Sequence, residues 1–200
     1  EVLDNEKNIW GLKDPQLTEH IKQLKFFKGK SKFIIIVRDA RGVVNSYKEN
    51  KWGLGTNAYS GALRWQKEVT EQLDFMNESP DDFFFIKYED LVADVDTHLQ
   101  KICSFLEIDF DKEMLNYSRT PSNFVKKREN LNTYKKLDPA LAEKWKRKLS
   151  QFEIAVIENI TGNLMEKLGY QLTEKKIDLS WWQIAYFNIH QKIIGEFQLQ

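Results

Sequence analysis

A short segment in the first quarter of the chain combines side chains that could bind a phosphate group. In Val37–Ser46, read VRDARGVVNS, Arg38 precedes Ser46 by two helical turns. A guanidinium offers a planar set of donors that fits two phosphate oxygens, and a serine hydroxyl can complete the shell. The start of a helix that follows this turn would add a favourable dipole end for an anion. We therefore predict that Arg38 and Ser46 bind a terminal phosphate.

The same two residues also have a purely structural explanation. Arg38 could form an ion pair with Asp39 or Glu89, and Ser46 could simply face solvent. The motif alone leaves both explanations open.

The residues around the motif predict a strand before it and a helix after it. Phe33–Val37 is a continuous apolar run rich in β-branched residues, typical of a strand covered on both faces in a parallel sheet. Such a strand carries Arg38 to the carboxyl edge of the sheet, where open α/β folds bind ligands. The helix is expected to continue through Val43, Val44 and Tyr47.

The rest of the chain continues this alternation of strands and helices. The predicted elements are a helix from Leu17 to near Gly29, a long amphipathic helix from Ala58 to Met76, a buried strand Phe83–Ile86, a helix from Tyr88 to Leu106, a polar loop Ser118–Leu137, and helices at Pro139–Leu149 and Phe152–Leu168 that stop at Gly169. The pattern predicts an α/β layer fold with a mainly parallel sheet and a helical C-terminal region.

The segment Phe33–Ser46 resembles the 3′-phosphate-binding motif of sulfotransferases that use 3′-phosphoadenosine-5′-phosphosulfate (PAPS), particularly the tyrosylprotein-type and related bacterial enzymes. In that family, the arginine that ends the strand and the serine in the next helix hold the 3′-phosphate. These residues match Arg38 and Ser46. Many members have proline or glycine where this chain has Ala40, which is a mild departure.

Two further segments resemble the family at similar distances along the chain. Trp10–Pro15 is similar to a Lys-[Asp/Thr]-Pro segment whose lysine, here Lys13, lies near the oxygen that bridges sulfate and 5′-phosphate. Lys87–Leu91 is similar to a Tyr-Glu-Asp-Leu segment whose tyrosine, here Tyr88, borders the nucleotide. Without the resemblance, Lys13 would be a surface lysine and Tyr88 a half-buried aromatic at a strand end.

A basic segment later in the chain resembles the family's loop that closes over the cofactor. Asn130–Lys136, followed by Trp145, gives Lys135 as the best-spaced candidate for a phosphate contact. A solvated basic loop explains the same residues.

The resemblance covers roughly residues 8–170 and implies a three-layer fold like that of P-loop NTPases. It implies sulfuryl transfer from PAPS, as co-substrate, to an acceptor hydroxyl, with no metal. Lys13 would neutralise the leaving phosphate, while Arg38, Ser46, Tyr88 and Lys135 anchor the nucleotide. We expect a partial sulfotransferase domain at 1–172 and an aromatic-rich tail at 173–200.

Part of the family's active site is not found in the sequence. The Gly/Ser/Thr-rich loop that wraps the 5′-phosphosulfate normally precedes the Lys-Asp-Pro region, and no such loop occurs here. Pro15 stands where some cytosolic relatives have a catalytic histidine, so we assign no general base. We therefore expect an N-terminally truncated domain that is catalytically incomplete alone.

Two other functions remain open from the sequence. The first is a kinase-like phosphotransferase of the P-loop type, for which Gly29-Lys30-Ser31 offers a superficial match. Leu24 stands where that motif needs glycine, and the triplet precedes a strand instead of following one. The second is a non-catalytic module for nucleotide binding or assembly.

The composition of the chain limits which partners and cellular locations we expect. Acidic and basic residues balance at 30 each, which argues against bulk attraction to nucleic acid. No apolar run is long enough to cross a bilayer, and the three histidines lack metal-ligand spacing. The single cysteine, Cys103, favours the cytoplasm, with the Golgi lumen as the alternative for a longer eukaryotic protein. The acceptor could be a sugar, tyrosine, lipid or small alcohol. The aromatic tail from Leu179 to Phe197 could pack on the domain, on a partner subunit in a homo-oligomer, or on a missing N-terminal part.

Overall fold

The structure, a computed structural model, describes residues 9–14, 17–51, 53–119, 138–173 and 177–199. The strands within these residues are β1 Phe33–Val37 and β2 Phe83–Lys87. The α-helices are α1 Ile21–Leu24, α2 Ala40–Asn50, α3 Ala58–Glu78, α4 Tyr88–Ala93, α5 Val95–Leu106, α6 Trp145–Lys148, α7 Gln151–Lys167 and α8 Trp181–Leu199. Short 3-10 helices cover Leu17–His20, Lys25–Phe27, Pro80–Asp82, Lys112–Arg119 and Pro139–Leu141.

The two strands pair in parallel, as the sequence predicts. Phe33 pairs with Phe83, and Val37 pairs with Lys87 at the other end. Parallel neighbours end at the same edge of a sheet. The residues that follow them, Arg38 and Tyr88, therefore emerge side by side.

Helices α2 and α3 form the crossover between the strands and pack with α7 over one face of the sheet. Val37, Val44, Ala62, Trp65 and Ile157 belong to the buried cluster at this junction. The core therefore lies directly beneath the turn that joins β1 to α2.

The opposite face of β1 differs from the prediction. Ile35 and Val37 are buried, but Ile34 and Ile36 are exposed. Side chains of a strand alternate between two faces. On this face α5 packs against β2, where Ile86 is buried, but it leaves these two side chains of β1 exposed. The apolar run therefore correctly predicted a strand, and wrongly predicted cover on both sides within these residues.

Polar caps set where several helices begin and end. Asp39, Asn57 and Asp94 each accept a hydrogen bond from a backbone N–H in the first turn of α2, α3 and α5, respectively. Asp94 also divides the predicted helix from Tyr88 to Leu106 into α4 and α5. Gly169 has a φ of 77°, a left-handed conformation that suits glycine after a helix, which confirms the predicted stop after α7.

The C-terminal region is helical, as expected. The predicted helix at Pro139–Leu149 is a 3-10 turn followed by the short α6, and the tail forms α8 against α3. Most of the predicted loop at Ser118–Leu137 lies outside the described residues. In the described part of the chain, none of the helices is both long and apolar enough to cross a membrane.

Candidate anion-binding site

Arg38 directly follows β1, and its side chain lies across the first turn of α2. A Cβ atom placed on Gly42 would lie 2.9 Å from Arg38 Nε and 3.4 Å from its Cζ. Only glycine leaves this space free. The backbone of Arg38 is fixed from the other side, where Trp65 Nε1 donates a hydrogen bond to its carbonyl oxygen at 3.0 Å.

The guanidinium of Arg38 has few partners. Its Nη2 donates to the carbonyl oxygen of Leu141 at 2.7 Å, and its Cζ lies 4.7 Å from the ring centroid of Tyr88. Its Nε is buried and has no hydrogen-bond partner. Within the described residues, no carboxylate forms an ion pair with it. Arg38 therefore keeps N–H groups that could donate hydrogen bonds to an anion.

Ser46 lies on the same face of α2 as this guanidinium. It is one helical turn beyond Gly42, and residues four apart on a helix are neighbours on its surface. Ser46 is half-buried, and its Oγ accepts a hydrogen bond from Asn50 Nδ2 at 3.0 Å. Because the hydroxyl accepts in this contact, its own hydrogen can still be donated to a ligand.

The structure places the other predicted residues as follows. Tyr88 begins α4, and its ring lies against Arg38. Lys13 lies in the exposed segment 9–14, and the next helical turn is tied to α3 by a hydrogen bond from Gln72 Nε2 to Thr18 Oγ1. No contact joins Lys13 to Arg38, Ser46 or Tyr88 among the described contacts. Lys135 lies outside the described residues.

A second arginine, which sequence reasoning missed, lies three residues away and is fully paired. Arg41 donates to Asp39 through Nε and Nη2, and to Glu158 through Nη1 at 2.6 Å. Its Cζ lies 4.0 Å from the ring of Trp145. Burial opposes its charge, but the two carboxylates outweigh burial and raise the pKa of Arg41 above its ordinary value. Arg41 therefore remains a cation and ties α2 to α7.

The carboxylates near Arg38 are occupied by other donors. Glu89 accepts from the backbone N–H of Asp39 at 3.1 Å and from the hydroxyl of Tyr170 at 3.0 Å. Burial, with the charge of Glu89, raises the pKa of Tyr170. The ion pair of Arg38 with Asp39 or Glu89, which the sequence left open, is therefore not formed.

Two cavities lie within the described part of the chain, and one of them is next to this site. One, of about 400 Å³, is lined by residues of the paired network, including Asp39, Arg41, Glu89 and Tyr170. The other, of about 540 Å³, lies between the 3-10 helix Leu17–His20, α3 and α8. Neither cavity is lined by Arg38, Ser46 or Tyr88. In the described part of the chain, no group of three or more acidic, histidine or cysteine side chains is placed to hold a metal ion.

An arginine with unused donors, at the carboxyl end of a parallel strand and before a helix, defines an α/β domain with a candidate phosphate site. A family model described as "Sulfotransferase family" matches residues 2–112, which is more than half of the chain. The chain belongs to this sulfotransferase family.

Two nematode proteins named "Putative protein-tyrosine sulfotransferase" are similar to this chain. The Caenorhabditis briggsae protein is 28% identical over 109 residues, which is 52% of this chain and 39% of the relative. The Caenorhabditis elegans protein is 27% identical over 109 residues, which is 52% of this chain and 42% of the relative. The chain thus spans about two fifths of the length of these relatives.

Two solved structures confirm the predicted fold class. The "Sulfotransferase Domain from the Curacin Biosynthetic Pathway" superimposes with a TM-score of 0.65 at 22% identity, over 78% of this chain and 59% of that one. The "Sulfotransferase Domain from the Synechococcus PCC 7002 Olefin Synthase" superimposes with a TM-score of 0.54 at 30% identity, over 70% and 50%.

Proposed function

We propose that the chain takes part in sulfuryl transfer from PAPS to an acceptor hydroxyl, and that it supplies the 3′-phosphate end of the nucleotide site. The observation that carries this proposal is Arg38. It is a guanidinium with a buried, unpartnered Nε, stacked on Tyr88 and sharing a helix face with Ser46, in a member of the sulfotransferase family.

The residues present fit an adenosine 3′,5′-bisphosphate group. The free donors of Arg38 suit a phosphate dianion, because charge-assisted hydrogen bonds are stronger than neutral ones. The hydroxyl of Ser46 can add one donor, and the ring of Tyr88 offers a flat surface beside the phosphate position. PAPS, when bound, supplies a sulfuryl group whose bond to the bridging oxygen breaks as a bond to the acceptor oxygen forms. The acceptor's proton goes to a base that we do not assign.

Two further residues have proposed roles. Lys13 would neutralise charge on the leaving phosphate, and its exposure leaves its ammonium group accessible to a ligand. Lys135 would contact a phosphate from the basic loop. Both roles rest on the family resemblance of their segments.

The finer assignments of domain, acceptor and location are also proposals. We propose a sulfotransferase domain at 1–172 and an aromatic-rich tail at 173–200 that packs on it, since Leu172 of the domain and Ile177, Leu179 and Phe187 of the tail all contact the main core. Hydroxyl-bearing acceptors are supported by the names of the nematode relatives. A cytoplasmic location is supported by a single, buried, unpaired cysteine, Cys103.

Nucleotide competition tests the proposal against the kinase-like alternative. We expect the chain to bind 3′-phosphoadenosine-5′-phosphate more tightly than ATP in calorimetry without magnesium. Equal or tighter binding of ATP would overturn the proposal. The kinase alternative also finds no support at Gly29, whose backbone N–H donates to the carboxylate of Asp82 at 2.7 Å.

Turnover is a separate question from binding. We expect no robust sulfation when PAPS and a panel of hydroxyl acceptors are added to the isolated chain, because no loop for the 5′-phosphosulfate is found in it. Turnover would refute this incompleteness and leave the nucleotide site standing. Loss of binding in Arg38→Ala separates a nucleotide site from a pure assembly module, which should bind no nucleotide at all.

A further inference from the structure

Helix α8 turns polar side chains toward the domain. Gln191 Nε2 donates to the carbonyl oxygen of Gly53 at 2.7 Å, and Gln191 Oε1 accepts from the backbone N–H of Thr56 at 2.8 Å. Gln198 Oε1 accepts from the N–H of Gly53, and His190 Nδ1 lies 3.0 Å from Thr56 Oγ1. A helix on a protein surface normally buries its apolar stripe. Helix α8 buries Phe187 but turns these polar side chains toward the domain as well, and leaves other large apolar side chains outside.

Three other contacts fix the rotation of α8 about its axis. Phe187 is buried and stacks on Tyr59 with ring centroids 5.6 Å apart. Asn57 Nδ2 donates to the carbonyl oxygen of Phe187 at 2.9 Å. Gly195 is buried, and a Cβ atom there would lie 3.1 Å from the carbonyl oxygen of Gly53. The helix therefore cannot turn its outer face inward without losing these contacts.

The outer face of α8 is apolar. Six large side chains are between 59% and 80% exposed, namely Trp181, Trp182, Tyr186, Ile189, Ile193 and Phe197. Five of them, from position 182 to 197, follow the spacing of a single helix face. At roughly 150–250 Å² per large side chain, these five expose on the order of 500–800 Å². This is at or above the roughly 300–600 Å² of the largest apolar patch on a typical monomer.

We propose that this stripe, Trp182 to Phe197 on the outer face of α8, pairs with the same stripe of a second copy of the chain. A two-fold interface requires a self-complementary surface. The stripe is almost symmetric about residues 189 and 190. Antiparallel pairing sets Trp182 against Phe197 of the second copy and Tyr186 against Ile193 of the second copy. At the upper end of its range, the exposed area of the stripe reaches the roughly 800 Å² per partner of a standard stable interface.

Charge favours a second copy over a lipid surface. Helices that lie on membranes carry a polar face rich in Lys and Arg. The only charged side chains in the sequence of α8 are Lys192 and Glu196, which balance, and its other polar residues include Gln191, used against the domain. An anionic membrane would gain little from this helix, whereas a neutral apolar stripe suits its own copy.

Sedimentation measurements test the dimer and the face that forms it. We expect concentration-dependent dimerisation of the 200-residue chain, and at least about 30-fold weaker association for a Tyr186→Glu, Ile193→Glu double variant. The matched control is Ile34→Glu, Ile36→Glu, which charges the exposed face of β1 and should leave the dimer intact. A monomer at every concentration, or a dimer lost only in the control, would overturn the proposal. So would a monomer that co-sediments with phosphatidylcholine vesicles.

Disulfide crosslinking tests the antiparallel arrangement. Cys103 is buried, so an introduced surface cysteine reacts selectively. We expect Ile189→Cys, near the two-fold axis, to form a disulfide-linked dimer. Trp181→Cys should not, because an antiparallel pair with a rise of 1.5 Å per residue separates the two copies of position 181 by about 25 Å. Crosslinking of Trp181→Cys instead of Ile189→Cys would refute the arrangement. Neither result depends on nucleotide binding.

Discussion

Arg38 and Arg41 lie one helical turn apart at the same strand end, yet they have opposite environments. Arg41 is buried, paired with Asp39 and Glu158, and stacked on Trp145. Arg38 has one hydrogen bond to a backbone carbonyl, a contact with the Tyr88 ring, and a buried Nε without a partner. One guanidinium is committed to the fold, and the other retains binding capacity.

The comparison shows how a phosphate-binding arginine can be kept free of ion pairs. Asp39 is next to Arg38 in the sequence, but Arg41 and the first turn of α2 occupy its carboxylate. Glu89 is occupied by Tyr170 and by the N–H of Asp39. Because these acceptors are already used, the guanidinium of Arg38 is not neutralised by the described residues.

Replacing Arg41 should produce the largest effect, and it should fall on stability. Arg41→Ala leaves Asp39 and Glu158 buried without a counter-charge, which typically costs about 3–5 kcal/mol. Urea denaturation followed by circular dichroism should show this loss in the free energy of unfolding. Arg41→Lys should recover only part of it, because lysine lacks the planar fork. A loss below about 1 kcal/mol would mean that the network contributes little.

Replacing Arg38 should instead affect ligand binding. Arg38→Ala removes one charge-assisted hydrogen bond to a carbonyl and one ring contact, so the unfolding free energy should fall by about 2–3 kcal/mol, less than for Arg41→Ala. Affinity for 3′-phosphoadenosine-5′-phosphate should fall on the order of 30- to 100-fold, because a charge-assisted pair is lost. A variant with reduced stability and unchanged affinity would assign Arg38 to the fold.

Gly42→Ala tests whether the position of the Arg38 guanidinium matters for binding, because the variant keeps the guanidinium and changes where it lies. The added methyl group would lie 2.9 Å from Arg38 Nε and should push the side chain away from α2. Alanine favours the helix by about 0.5–1 kcal/mol, so stability should change little. We expect an approximately tenfold loss of bisphosphate affinity by calorimetry. The conclusion that Gly42 makes room for Arg38 fails if affinity is retained.

Ser46→Ala should give the smallest effect. One hydroxyl donor contributes about 1 kcal/mol, which corresponds to roughly fivefold in affinity. The helix should be unaffected, because alanine is a good helix former. Ser60→Ala on α3 is a matched control, since Ser60 Oγ donates to Gln191 Oε1 far from Arg38. Equal losses in both variants would indicate a general effect on folding.

The sequence predicted the elements that local pattern controls. The apolar run ending at Val37, the helix through Val43, Val44 and Tyr47, and the glycine stop after α7 all depend on neighbouring residues. The parallel pairing followed from two apolar runs separated by helices, and it placed Arg38 beside Tyr88.

The features that the sequence did not predict depend on residues that are distant along the chain. The role of Arg41 depends on Glu158, 117 residues away, so no local signal marked it beyond an aspartate two positions earlier. The exposure of Ile34 and Ile36 on β1 depends on which elements pack over that face, and the residues of the strand do not determine it. The orientation of α8 could not be read from its composition, because its polar side chains contact backbone atoms of Gly53 and Thr56.

The most direct test varies the ligand phosphate and Arg38 together. Calorimetry should compare 3′-phosphoadenosine-5′-phosphate with adenosine 5′-monophosphate, each against the unmodified chain and Arg38→Ala. We expect the unmodified chain to prefer the bisphosphate by at least about tenfold, and Arg38→Ala to bind both nucleotides about equally. The same preference for the bisphosphate in both proteins would show that Arg38 does not bind the 3′-phosphate.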